Sequence, residues 1–153
     1  MFSMEKRPDP AKSTMDSKTT RLRLLKILLI VSIVATFIHF TDNYLYFERY
    51  PQPAWITRPG VYRSWIIWTV FAIAGYALYR NGRFWISHLC LTIYSFCGIT
   101  SLGHYLYGSM FEFSPKMHFF ILTDGAAGLA ILGFIVWSSL ILRERFTISR
   151  NGV

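Results

Sequence analysis

Charge is scarce in this chain. Of its 153 residues only 16% are charged, against 53% hydrophobic and 18% aromatic, too little polar material for an ordinary water-soluble fold of this length. Acidic residues are scarcer still, eight against sixteen lysines and arginines. The resulting net charge of +8 does not mark a nucleic-acid binder, because the basic residues lie in the N-terminal tail and at the ends of apolar runs, not along a stripe on a folded surface. Cysteine is nearly absent. Cys90 and Cys97 both fall inside an apolar run and read as packing residues. There is no Gly-rich phosphate loop, nucleophile elbow, HExxH or CxxC spacing, or obvious internal repeat, which counts against the familiar soluble chemistries without excluding activity.

What the chain has instead is four segments long enough to cross a bilayer, each close to the 20 or so apolar residues a helix needs. They cover residues 22–41, 62–79, 84–103 and 118–142. The tight turn "RNGR" joins the second to the third. The expected fold is all-α: an integral membrane, antiparallel four-helix bundle over residues 22–142. It is preceded by a basic, disordered tail over 1–21 and followed by a short tail over 143–153. The first segment has the basic start of a secretory signal, but no small-residue cleavage pattern follows Phe40, so it reads as an uncleaved anchor. The tail is held near anionic lipid by its charge, or is simply solvated and sets topology.

Orientation follows from the basic residues. Twelve of the sixteen, including Lys18, Arg21, Arg23, Lys26, Arg80, Arg83 and Arg143, fall on the side of the N-terminus. The positive-inside rule then places both termini in the cytoplasm. Tyr44, Tyr46, Tyr50, Trp55, Tyr62 and Trp65 are expected to form an aromatic belt on the other side. The loop that carries several of them, "YFERYPQPAWITRPG", reads equally as an ordered cap or an ordinary connection.

Small residues mark two helices. Gly125, Gly128 and Gly133, with Ala126, Ala127 and Ala130, give the fourth a face for close backbone approach, and Gly75 with Ala72, Ala74 and Ala77 does the same in the second. Tight packing is the ordinary reading of such faces; a ligand groove is the alternative.

Polar residues at membrane depth are the candidates for chemistry. Three of the four histidines share the outer side with two carboxylates: His39, Asp42, His104, His118 and Asp124. In "FIHFTDN" His39 lies three residues before Asp42, a spacing that puts both on one helical face and lets a carboxylate orient an imidazole. His118 and Asp124 are six residues apart, which turns them away from each other on a straight helix. Asp124 carries the most weight, since a carboxylate inside a membrane helix costs roughly 2.5–3.5 kcal/mol and needs a partner or a task. A hydrogen bond to Thr36 or Thr100 is its structural alternative. His88 has no acidic neighbour in the sequence and reads as interfacial.

Three chemistries suit the five outer residues: zinc held by imidazoles and a carboxylate, haem between paired histidines, or proton transfer by Asp124 and His104. Because nothing in the spacing demands a ligand, the reading preferred from the sequence is a structural or accessory protein that packs on a membrane partner or on a second copy of itself, with the polar residues serving the fold; a small membrane enzyme or a metal- or haem-binding protein is the alternative.

The stretches "HFTDNYLYFERYPQPAWI" and "GHYLYG", within a four-helix layout covering nearly the whole chain, resemble a family of small bacterial four-helix membrane proteins. That resemblance implies the bacterial inner membrane and supplies no activity. In architecture alone the chain is similar to EXPERA-domain proteins, whose motif does not align here residue by residue. Alkaline-ceramidase-like hydrolases resemble a longer bundle than this chain can build.

Overall fold

Capping chemistry sets where the helices begin. In the computed structural model, which describes residues 10–144, α2 (Arg58–Arg80) starts behind Thr57, whose hydroxyl accepts from the Gly60 N–H at 3.2 Å. Helix α4 (Pro115–Val136) starts behind Ser114, whose hydroxyl accepts from Met117 at 3.3 Å. In both, proline occupies the first turn, where its missing N–H would have no partner anyway. Helix α3 (Phe84–Ile99) follows a tight turn at Gly82, whose φ of 74° is a conformation glycine adopts without steric cost. Helix α1 runs from Pro10 to Leu45, so residues 10–21, expected in the disordered tail, are helical. Ala11, Lys12, Met15, Lys18 and Arg21 are good helix formers, and they extend a helix already nucleated by the apolar run. Residues 1–9 and 145–153, most of the expected tails, lie outside the described residues.

Two helix ends depart from α geometry. Helix α3 continues as a 3-10 helix over Thr100–Leu106, and α4 widens into a π-turn over Trp137–Ile141. The described residues form four α-helices, with short 3-10 and π segments, and no strand. All four are long and apolar enough to cross a membrane, over Lys18–Leu45, Arg58–Arg80, Phe84–Leu106 and Pro115–Ile141.

The helices close a ring in chain order. Helix α1 packs on α2, α2 on α3, α3 on α4 and α4 back on α1, with slight contact across the α1–α3 diagonal. The antiparallel arrangement shows in the pairings: His39 meets Asp124 at one end of α1, and Arg21 meets Glu144 at the other. Leu25, Leu29, Ala72, Leu91, Tyr94, Ile131 and Phe134 fill the centre. Two glycines make the α3–α4 seam. A Cβ at Gly98 would collide with the Asp124 carbonyl, and one at Gly128 would come within 2.5 Å of the Ser95 carbonyl. The small-residue face of α4 is therefore spent partly inside the chain: Gly125 and Gly128 are buried against α3, while Ala126, Ala130 and Gly133 stay exposed.

Polarity is inverted relative to a soluble bundle. Ile27, Ile30, Val34, Ile66, Ile73 and Leu129 face outward, and Ser32, Thr36, His39, Ser87, His88, Asp124 and Ser138 are buried. An apolar exterior of this extent marks contact with something other than water.

Candidate functional site

At one end of the bundle the ring brings together three of the five candidate residues. His39 Nδ1 lies 2.7 Å from Asp124 Oδ2, joining α1 to α4, and Ser101 at the start of the 3-10 segment donates to the same oxygen at 3.3 Å. Asp124 is fully buried and His39 is 2% exposed. His104 packs against His39 with ring centroids 5.7 Å apart. Its Nδ1 is 2.7 Å from the Pro51 carbonyl; a carbonyl only accepts, so that nitrogen carries the proton. His104 Nε2 is then bare and accepts from the Asn43 amide at 3.4 Å.

The carboxylate that orients His39 is therefore Asp124, from the far end of the sequence, and not the expected Asp42. Asp42 turns toward the loop instead, where its two oxygens accept from Tyr50 at 2.8 Å and from Lys116 at 2.6 Å. The expected Thr36 and Thr100 contacts to Asp124 do not form. Thr36 donates to Ile33 and accepts from Trp65, and Thr100 turns back onto its own helix at Phe96.

His118 stands apart. Its Nε2 donates to the Met110 carbonyl at 3.1 Å and its Nδ1 accepts from Tyr105 at 2.8 Å, so both nitrogens are used in pinning the short Met110–Glu112 turn. Hydrogen bonds of this kind fix a loop and leave nothing for a ligand.

The 46–57 loop is an ordered cap. Tyr50 is buried and packs against both His39 and His104, at 5.6 and 5.2 Å between ring centroids. It leaves the aromatic belt expected for it because its ring covers the histidines and its hydroxyl needs Asp42. Burial, the hydrogen bond to Asp42 and the charges of Asp42 and Asp124 push its pKa well above the ordinary tyrosine value, so the phenol stays a donor. Gly108 approaches Pro51 so closely that a Cβ there would collide with the proline ring.

Four polar atoms at this end are buried without a hydrogen-bond partner: His39 Nε2, Asp124 Oδ1, Asn43 Oδ1 and Gln52 Oε1. Orphans of this kind are rare in folded proteins and call for a cause. The chemistry of the dyad supplies one. With Asp124 ionised, His39 donates through Nδ1 and its Nε2 lone pair is bare; with the proton on Asp124, the imidazole carries its hydrogen at Nε2. The second state holds one proton more than the first, so the pair can take up or give up a proton in a place shielded from water.

A metal fits less well. Among the described residues no group of three or more His, Cys, Asp and Glu side chains is arranged to hold an ion, because His118 and Asp42 are engaged elsewhere. A catalytic zinc with three protein ligands has no ligand set here. Haem between His39 and His104 would have to displace Tyr50, which packs on both rings.

The opposite end holds a second buried polar cluster. Glu144 Oε1 pairs with Arg21 at 3.2 Å, while Tyr79 and Ser138 both donate to Oε2. His88 Nε2 lies 3.0 Å from the Ser138 hydroxyl. Since that hydroxyl gives its proton to Glu144, the imidazole donates to it. His88 is thus buried and tied through Ser138 to an acid, not interfacial: the missing acidic neighbour arrives from beyond the last span, next to Arg143, whose φ is positive at 55°. No local pattern in the sequence announces that backbone conformation. Comparison of the chain with protein-family models, with curated proteins and with solved structures gives no match.

Proposed function

We propose that this chain is a multi-pass protein of the bacterial inner membrane, with both termini cytoplasmic, and that Asp124 and His39 form a proton-exchanging binding site near its outer face. The observation that carries this reading is the buried dyad with an unused atom on each partner, His39 Nε2 and Asp124 Oδ1. A pair kept only for packing gains nothing from orphaned polar atoms, which cost about 1–3 kcal/mol each. A pair kept for a ligand needs them. The reaction class that suits it is acid–base transfer to or from a neutral ligand: Asp124 holds or releases the proton, His39 shares it, and the Tyr50 cap excludes water. His104, held by Pro51, and Ser101 position the pair.

The deciding experiment is thermal unfolding, in lipid nanodiscs, of the double replacement His39→Phe with Asp124→Leu. Replacing a buried pair by apolar groups of similar volume leaves stability unchanged or raises it by about 1–4 kcal/mol when the pair serves a ligand at the expense of the fold. A loss of more than about 2 kcal/mol would make the dyad a structural clamp and end this reading.

An accessory role is the second reading, supported by the exposed stripe Ala126, Ala130 and Gly133 on α4. Such a stripe suits close packing with another membrane helix, from a partner or a second copy.

A further inference from the structure

The outer surface of the bundle carries a furrow between α1 and α4 with a volume of about 390 Å³, within the range of small-molecule sites. Ile30, Val34 and Ile38 form one wall, Phe119 and Thr123 the other, and Asp124 lies at the base. Ile30 and Ile38 are eight residues apart, so the furrow runs about 12 Å along the helix axis. In a membrane that axis is the direction of the lipid chains. The walls are almost all carbon, and Asp124 is the one charged residue that reaches them.

We propose that this furrow admits a single-chain amphiphile with an uncharged, proton-bearing head, a long-chain alcohol, sideways from the bilayer and seats its hydroxyl at Asp124. This rests on the reading of the dyad as a binding site, and names its ligand class and its entrance. Three features select the occupant. The length and direction of the furrow suit one extended alkyl chain. The unpartnered Asp124 Oδ1, fully buried, calls for a hydrogen-bond donor, which a hydroxyl supplies and a quaternary ammonium does not. A carboxylate head would meet Asp124 as a like charge, which is costly where water is excluded. Entry is lateral because Ile30, Val34, Ile38 and Phe119 are all exposed on the bundle exterior, whereas the loop cap with Tyr50 covers the aqueous route.

The test uses the full chain in phosphatidylcholine nanodiscs with a diazirine-bearing dodecanol, its carboxylic-acid counterpart as control, and mass spectrometry to locate the crosslinks. The expected result is labelling of the peptides that hold Val34 and Phe119 well above that of Ile66 and Ile73, the exposed face of α2. Labelling should be competed by plain dodecanol and reduced about tenfold by Val34→Trp, which fills the furrow, and by Asp124→Leu, which removes the acceptor. Uncompeted labelling equal to that of α2 would mean bulk lipid contact and overturn the proposal. So would equal labelling by the acid, or labelling indifferent to Asp124→Leu. The unfolding experiment on the dyad needs no ligand, so a dyad that passes it alongside unselective labelling condemns the furrow alone.

Discussion

Asp124 and Glu144 are both buried carboxylates, Asp124 joining α1 to α4 and Glu144 tying α1 and α2 to the end of the last span, and they are provisioned in opposite ways. Glu144 uses both oxygens, Oε1 on Arg21 and Oε2 on Tyr79 and Ser138. Asp124 uses one, shared by His39 and Ser101, and leaves Oδ1 without a partner. Burial alone therefore does not separate a clamp from a site. A carboxylate with donors on both oxygens contributes to stability, whereas one with an oxygen left unpartnered beside an apolar furrow costs stability.

The contrast can be broken most directly at its stronger end. Glu144→Ala should lose about 3 kcal/mol, because it strands Arg21, Tyr79 and Ser138 together; denaturant or thermal unfolding in nanodiscs reads this. A loss under about 1 kcal/mol would erase the difference between the two ends. At the weaker end, Ser101→Ala should cost no more than about 1 kcal/mol, since its contact with Asp124 is long at 3.3 Å and His39 stays in place. The smallest effect is on titration. The fold favours the protonated phenol of Tyr50, so its contribution is complete below the ordinary tyrosine pKa of about 10 and is lost only as pH rises through the higher folded value. Ultraviolet titrations of the wild type and of Tyr50→Phe should therefore coincide from about pH 9 to 12. A missing phenolate step in the variant would show that the cap is open to water.

The spans were legible because they are long apolar runs, and the close packing of Gly125 and Gly128 was legible because small residues recur on one face of α4. What could not be read was the match across the ring. His39 and Asp124 are 85 residues apart, and only the register of α1 against α4 decides that they meet. The spacing of His39 and Asp42 was correct as geometry and misleading as chemistry, because Tyr50 and Lys116 compete successfully for Asp42. Glu144 lay beyond the last apolar run, next to a positive φ at Arg143 that nothing nearby encodes. Even the loop cap, with its prolines and aromatics, declared only that it was ordered or ordinary. Its function follows from the Pro51 carbonyl meeting His104.

The ring order of the helices also has a consequence in time. The α2–α3 hairpin is closed by the turn at Gly82 and by the Ser87 hydroxyl on the Gly75 carbonyl, contacts local enough to form while the chain is still emerging. The α1–α4 edge joins the two helices most remote in sequence and is the last to close. Asp124 sits on that edge, and Glu144 ties α1 to the end of the last span. If that edge closes after the barrier to assembly, their strength should govern how long the finished bundle lasts and not how fast it forms.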